Sequence, residues 1–247
     1  MAGCPVIKIE GIEKSFRNKT VLDKVSLDIR ENEILGVIGA SGAGKTTLLR
    51  IIVGFIAPEK GSILFKTKEG KLLKKNLLLN KEIGFATQDS SFYPELTVSE
   101  NLKYFAALHD MHDNIGERTE SVLKLVNLNG EENHPAKNLS DGMKKRLDLA
   151  CALIHNPRMM ILDEPTANID ISLKKQIWSL IKKLKKEGMT IILSSHYLDE
   201  IEALCDRIAV IHDKKIAALG TAEELKKKFS KGKKSLYDAF ERIANES

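Results

Sequence analysis

Apolar and polar residues alternate along this chain with three different rhythms, each predicting a different element. Strict alternation marks residues 6–10 (Val-Ile-Lys-Ile-Glu) and 25–29 (Val-Ser-Leu-Asp-Ile), with Asn18-Lys19 between them, which predicts an antiparallel ribbon. Nearly unbroken apolar runs at 34–38, 83–86, 159–162 and 190–194 predict strands buried on both faces. Residues 48–53 (Leu-Leu-Arg-Ile-Ile-Val) predict a helix soon after the first of these strands. From about Ser99 to Asn156 the period is helical: Leu102, Phe105, Ala106 and Leu108, then Val122, Leu125 and Val126, then Leu147, Ala150 and Leu153. Asn156-Pro157 closes that block. Residues 70–80, rich in Lys and Leu, are expected to form a loop or short helix at a sheet edge. The whole predicts an α/β fold in which a helical block interrupts a mostly parallel sheet.

At 247 residues and a formal charge of +5, the chain fits one soluble enzyme domain rather than a dedicated nucleic-acid binder. Its lysines cluster at Lys182-Lys183, Lys185-Lys186, residues 226–228 and residues 231–234, among Leu, Ile and Phe, as on solvated helix faces. Cys4, Cys151 and Cys205 lack C-x-x-C spacing, so neither a disulfide framework nor a zinc site is expected, and a reducing cytosol suits them. No stretch of about 18 apolar residues is present to span a membrane.

The chemistry begins between the 34–38 strand and the 48–53 helix. Gly39, Ala40, Ser41, Gly42, Ala43, Gly44, Lys45 and Thr46 spell G-x-x-x-x-G-K-[ST], a loop that binds a nucleoside triphosphate. Its glycines let backbone N–H groups turn inward around phosphate oxygens, and the helix start adds its positive end. Lys45 supplies a charge to the β- and γ-phosphates, the Thr46 hydroxyl is set to ligate Mg²⁺, and Thr47 continues the phosphate-binding set.

In an open parallel sheet, ligands bind beyond the carboxyl ends of the strands. Each later strand here ends in a polar residue suited to phosphate chemistry: Thr87-Gln88, Asp163-Glu164 and Ser195-His196. Asp163 is placed to hold Mg²⁺ and Glu164 to polarise the attacking water; His196 could contact the γ-phosphate, and Gln88 could complete the metal and water shell. His109, His112, His134, His155 and His212 form no ligand constellation and are read as structural.

In this order the motifs resemble those of the nucleotide-binding subunits of ABC transporters, over nearly the whole chain. The phosphate loop matches Walker A, Gln88 the Q-loop, and Leu139-Ser-Asp-Gly-Met143 the signature. Residues 159–164 match Walker B, Ala167-Asn-Ile-Asp170 the D-loop, and His196 the switch histidine. Phe16 falls where the family stacks an aromatic ring on adenine. Ser195-His-Tyr-Leu-Asp-Glu200 and Ser235-Leu-Tyr-Asp-Ala-Phe240 look most like the ABC-2 export type.

The resemblance implies a phosphate-loop, RecA-like core over residues 5–230 with an antiparallel β subdomain, a helical subdomain inserted at about 90–157, and a helical tail at 231–247. It implies ATP and Mg²⁺ as cofactors and hydrolysis of ATP to ADP and phosphate. It also implies a head-to-tail dimer, homo- or heteromeric, with each ATP between the phosphate loop of one copy and Ser140 and Gly142 of the other. Separate transmembrane permease subunits would be engaged near residues 88–95, holding the chain on the cytoplasmic face of the cell membrane. Nucleic acid is not an expected partner. A non-transport ABC ATPase is the alternative; a phosphate-loop GTPase or kinase fits less well, since Asn18-Lys19-Thr-Val and Asn80-Lys81-Glu-Ile lack the Asp of guanine recognition and neither class explains residues 139–143. Asp141 departs from the family's L-S-G-G-Q. With Ser140 as helix cap it should occupy the first helical turn and point away from phosphate.

Overall fold

The computed structural model of the chain describes residues 5–67, 71–74, 81–230 and 235–245. Cys4 and the lysines at 231–234 lie outside these residues. Three of the apolar runs are strands buried along their entire length: β3 (Ile34–Ile38), β7 (Met159–Asp163) and β8 (Thr190–Ser194). With β6 (Ile83–Ala86), β9 (Arg207–His212) and β10 (Lys215–Gly220) they form a six-stranded sheet in the order β10-β9-β3-β8-β7-β6. Only β10 is antiparallel to its neighbour.

The missing alternation has a direct cause: both faces of this sheet are covered. Ile34, Ile38, Met160, Leu162, Ile191 and Leu193 pack into one core, while Leu35, Val37, Met159, Ile161 and Ile192 pack into another on the opposite face. The second core is closed by α1 (Lys45–Val53) and by an antiparallel sheet of order β2-β1-β4-β5. That sheet comprises β1 (Pro5–Phe16), β2 (Lys19–Arg30), β4 (Lys60–Lys66) and β5 (Leu72–Lys74). The ribbon turns at Arg17 (φ 45°) and Asn18 (φ 66°), with Phe16 paired to Lys19, so the turn lies one residue earlier than Asn18-Lys19 suggested. Residues 72–74 do sit at a sheet edge, but as a strand paired to β4 rather than a loop or helix. Residues 70 and 75–80 fall outside the described residues.

The first core is closed by helices. The inserted block consists of α2 (Val98–Leu108), α3 (Ile115–Leu125) and α4 (Asp141–Leu153). Thr97 and Glu100 form a reciprocal capping box at the start of α2, at 3.2 and 2.8 Å. Arg118 donates to the Ile154 and Leu153 carbonyls at 2.9 and 2.6 Å, so α3 caps the end of α4. Leu108, expected on the core-facing stripe, is instead exposed, because α2 turns that edge toward an open cleft. Beyond β7 come α5 (Ile171–Lys186), α6 (Leu198–Leu204), α7 (Ala222–Phe229) and α8 (Leu236–Asn245). Leu236 and Ile243 of α8 join the same core as α5 and α6, so this C-terminal helix packs against the main body.

One buried ion pair ties the start of β3 to β9. Arg207 reaches Glu33 at 3.0 and 3.2 Å, and Glu33 also accepts from the Arg30 N–H at 2.6 Å. Removing one partner strands a buried charge. Glu33→Ala is therefore expected to lower unfolding free energy by about 3–5 kcal/mol, and the double change Glu33→Leu with Arg207→Met by less, read from urea titrations.

Candidate active site

The loop after β3 turns into α1 at Gly44, whose backbone is left-handed (φ 101°). A Cβ there would stand 2.9 Å from Leu22 and 3.1 Å from Val21 of β2, so glycine is required both by conformation and by space. No side chain caps α1 and no acid lies in its first turn, which leaves its N–H groups and positive end open to an anion. Lys45, only 6% exposed, curls back to donate to the Gly39 and Ala40 carbonyls at 2.9 and 3.3 Å. Burial pushes its ammonium below the usual lysine range, opposed by the Glu164 and Asp163 carboxylates.

Asp163 ends β7 with one oxygen, Oδ1, accepting two hydroxyls: Thr46 at 3.2 Å and Ser194 at 2.5 Å. A buried carboxylate beside a phosphate-loop threonine is a hard oxygen donor set that fits Mg²⁺, which keeps several waters and takes phosphate oxygens. Among the described residues no group of three or more His, Cys, Asp or Glu converges as a complete protein cage would need. Glu164 follows in a left-handed conformation (φ 49°), held there by its N–H donating to Ser194 O and Oγ at 3.2 and 3.1 Å. This local strain turns its carboxylate to within 3.2 Å of His196 Nδ1.

Gln88 lies two residues past β6, exposed, and its side chain has no partner among the described residues. Its carbonyl and that of Thr87 accept from Lys145 Nζ at 3.4 and 3.1 Å. Three residues along α4, Asp148 accepts from the Ser91 N–H and hydroxyl at 2.8 and 3.1 Å. Helix α4 thus grips the segment carrying Gln88. Its own start is capped by Ser140, which accepts from Met143 N at 3.3 Å. Asp141 is in the first turn, its side chain 92% exposed and 3.9 Å from Lys144. A Cβ on Gly142 would meet Leu173 of α5 at 2.6 Å. Asp170 caps α5 by accepting from Leu173 N at 3.0 Å.

Phe16 is 44% exposed at the ribbon tip, with Lys14 Nζ 5.2 Å from its ring centre. Since Val21 and Leu22 of the same ribbon close over Gly44, that tip opens beside the phosphate loop. Sequence reasoning missed Ser194, Lys145, Asp148 and Glu200. Glu200 had left a trace: it lies four residues before Leu204, on the apolar face of α6.

The family model described as ABC transporter matches residues 22–167, from the ribbon through Walker A and Walker B to the D-loop. The chain belongs to the ABC transporter family. It is an ABC ATP-binding domain, an ATPase coupled to transport. The linearmycin resistance ATP-binding protein LnrL of Bacillus subtilis is 34% identical over 222 residues, 89% of this chain and 70% of that protein. Nod factor export ATP-binding protein I of Ralstonia nicotianae is 33% identical over 90% of this chain and 68% of its own length. The spermidine/putrescine import ATP-binding protein PotA of Spiroplasma citri is 37% identical, over 89% of this chain and 63% of its own length. A solved ATP-binding subunit of an ABC transporter superposes with a TM-score of 0.84 over 96% of this chain and 99% of that one, at 24% identity, a likeness of fold. The cbiO1 structure from Clostridium perfringens gives 0.79 at 27% identity over 91% of each chain.

The ABC domain also carries an apolar cleft of about 250 Å³ between sheet and helical block, lined by Phe55, Phe85, Thr87, Ser91, Leu108 and His155 among others. Beneath it His155 stacks on His109, ring centres 3.6 Å apart. His155 Nε2 lies 3.2 Å from the Ile83 carbonyl and donates to it, leaving a buried Nδ1 with no partner. Burial, with neighbouring His109 and Arg118, pushes its pKa down to about 4.

As pH falls below 6.5 the unfolded chain takes up a proton at His155 that the folded one refuses until about 4. Stability is therefore present above pH 6.5 and lost between 6.5 and about 4, by about 3 kcal/mol at roughly 1.4 kcal/mol per pH unit. Urea midpoints across this range should fall more steeply for the parent than for His155→Asn.

Proposed function

We propose that this chain powers a membrane exporter by closing as a head-to-tail dimer on two ATP molecules and reopening after hydrolysis. One observation carries the reading: the Glu164–His196 pair at 3.2 Å stands at the same carboxyl end of the central strands as the phosphate loop and Asp163. On this reading the loop from Gly39 to Thr47 holds the phosphates, with Lys45 exchanging its carbonyl partners for phosphate oxygens. Thr46, Asp163 and Gln88 would hold Mg²⁺, which when bound neutralises charge developing between the β- and γ-phosphates. Glu164 takes the proton of the attacking water, and His196, touching Glu164, orients that carboxylate and faces the γ-phosphate. Phe16 stacks on adenine, and the partner copy's Ser140 helix start and Gly142 complete the pocket.

The domain would span residues 5–230, with the helical subdomain at about 90–157 and a tail at 231–247. Among the described residues no helix is long and apolar enough to cross a membrane, so separate permease subunits are the proposed partners. Their contact would be the cleft beside residues 88–95, with exposed Phe55 and Leu108 at its rim, holding the chain on the inner face of the cell membrane. Export is favoured by the wording around His196 and by the exporting or resistance roles named for two relatives. The similar identity to an import protein makes import the second reading.

Two variants test the core of this. Lys45→Ala is expected to keep its fold and lose ATP affinity by about 10- to 100-fold, the worth of charge-assisted bonds. Glu164→Gln should bind ATP as the parent does, hydrolyse it at least about 100-fold more slowly, and elute as a dimer with Mg·ATP. Parent-rate hydrolysis by Lys45→Ala, or an active and monomeric Glu164→Gln, would overturn the reading. Co-purification with a membrane protein of the same cell tests the transport role.

A further inference from the structure

Glu200 of α6 is 1% exposed, and its carboxylate is met by three neutral donors, one from α5 and two from the loops that leave β7 and β8. Oε1 accepts from the Thr166 hydroxyl at 2.7 Å and the Trp178 indole N–H at 2.9 Å; Oε2 accepts from the Ser195 hydroxyl at 2.6 Å. Among the described residues, no Lys, Arg or His forms an ion pair with it. Two of these donors sit beside the reacting groups: Thr166 two residues after Glu164, and Ser195 immediately before His196. The third, Trp178, lies on α5, which begins at the D-loop cap Asp170.

The direction of these bonds matters. Glu200 Oε2 accepts from Ser195, so the Ser195 hydroxyl spends its one proton there. Its lone pairs are then free to accept, and one takes the Tyr197 N–H at 3.0 Å, closing the turn that carries His196. On the other oxygen, Thr166 fixes the chain just past the strained Glu164 backbone. One carboxylate thus sets the exits of both β7 and β8.

We propose that Glu200 is a positioning residue for hydrolysis: it holds Glu164 and His196 in register with each other without touching nucleotide. This rests on the roles given above to that pair. Glu200→Gln has the same shape and still accepts from Thr166 and Trp178, but it turns an N–H toward Ser195 and reverses the bond that orders the His196 turn.

The test uses the full chain, comparing ATPase kinetics and melting of Glu200→Gln, Ser195→Ala, the double variant and Glu164→Gln. The expected result is a kcat lowered about tenfold or more in Glu200→Gln, with KM for ATP within about twofold of the parent. Ser195→Ala, which removes this bond together with the acceptor of the Tyr197 N–H, should lower kcat at least as far, and the double variant should add little to it, because Glu200→Gln acts through a bond that Ser195→Ala already lacks. A folded Glu200→Gln with parent kcat, or losses that multiply in the double variant, overturns the proposal; if Glu200→Gln fails to fold, Ser195→Ala at parent kcat does so. Glu164→Gln separates the two layers. Its continued turnover would sink the reading of the pair, whereas a silent Glu164→Gln beside active Glu200→Gln and Ser195→Ala sinks only this one.

Discussion

The site depends on one carboxylate oxygen. Asp163 Oδ1 receives the Thr46 hydroxyl from the start of α1 and the Ser194 hydroxyl from the end of β8, while Asp163 itself ends β7. Three elements far apart in sequence are therefore referenced to a single atom. Asp163 is nearly inaccessible to solvent, and leaving such an atom without donors would cost on the order of 1–3 kcal/mol or more, so the hydroxyls stabilise the arrangement before any ligand arrives. Ser194 does double duty, since the same hydroxyl oxygen accepts the Glu164 N–H and keeps that residue in its strained turn.

Much of this was legible because phosphate chemistry restricts residue types at strand ends, and strand ends can be read locally. The runs at 34–38, 83–86, 159–162 and 190–194 are all strands of the main sheet. Other elements escaped for physical reasons. Strand β9 (Arg-Ile-Ala-Val-Ile-His) follows α6 after a two-residue break, so its apolar run continues a helical one without a Gly or Pro to separate them. Strand β5 is an exposed edge of three residues, too short to display a period. Leu108 has the right helical spacing but lines a cleft, and spacing does not distinguish a core from a groove.

Within the site, the residues that escaped act across long sequence separations. Ser194 meets Asp163 over 31 residues, Lys145 meets Gln88 over 57, and Glu200 meets Thr166 over 34. No local pattern encodes such pairs. Lys145 and Asp148 have a further significance, because two buried charged side chains of one helix hold the segment from Thr87 to Ser91, which also lines the apolar cleft. The burial that pushes the Lys145 ammonium down and the Asp148 carboxyl up in pKa is offset in part by their mutual attraction along α4 and in part by that segment, whose Ser91 donors hold the Asp148 carboxylate. The helical block and the sheet edge are thereby joined by polar contacts at the cleft, in addition to the apolar core.

The start of α4 joins two adjacent positions with opposite needs. Leu173 fills the space a methyl group at Gly142 would occupy, whereas Asp141, one step round the helix, opens to water. A signature written with two successive glycines therefore combines two unrelated demands, and at the second of them the demand is met inside one subunit. A side chain placed at Gly142 would therefore act first on its own subunit, by making the Leu173 side chain of α5 turn aside.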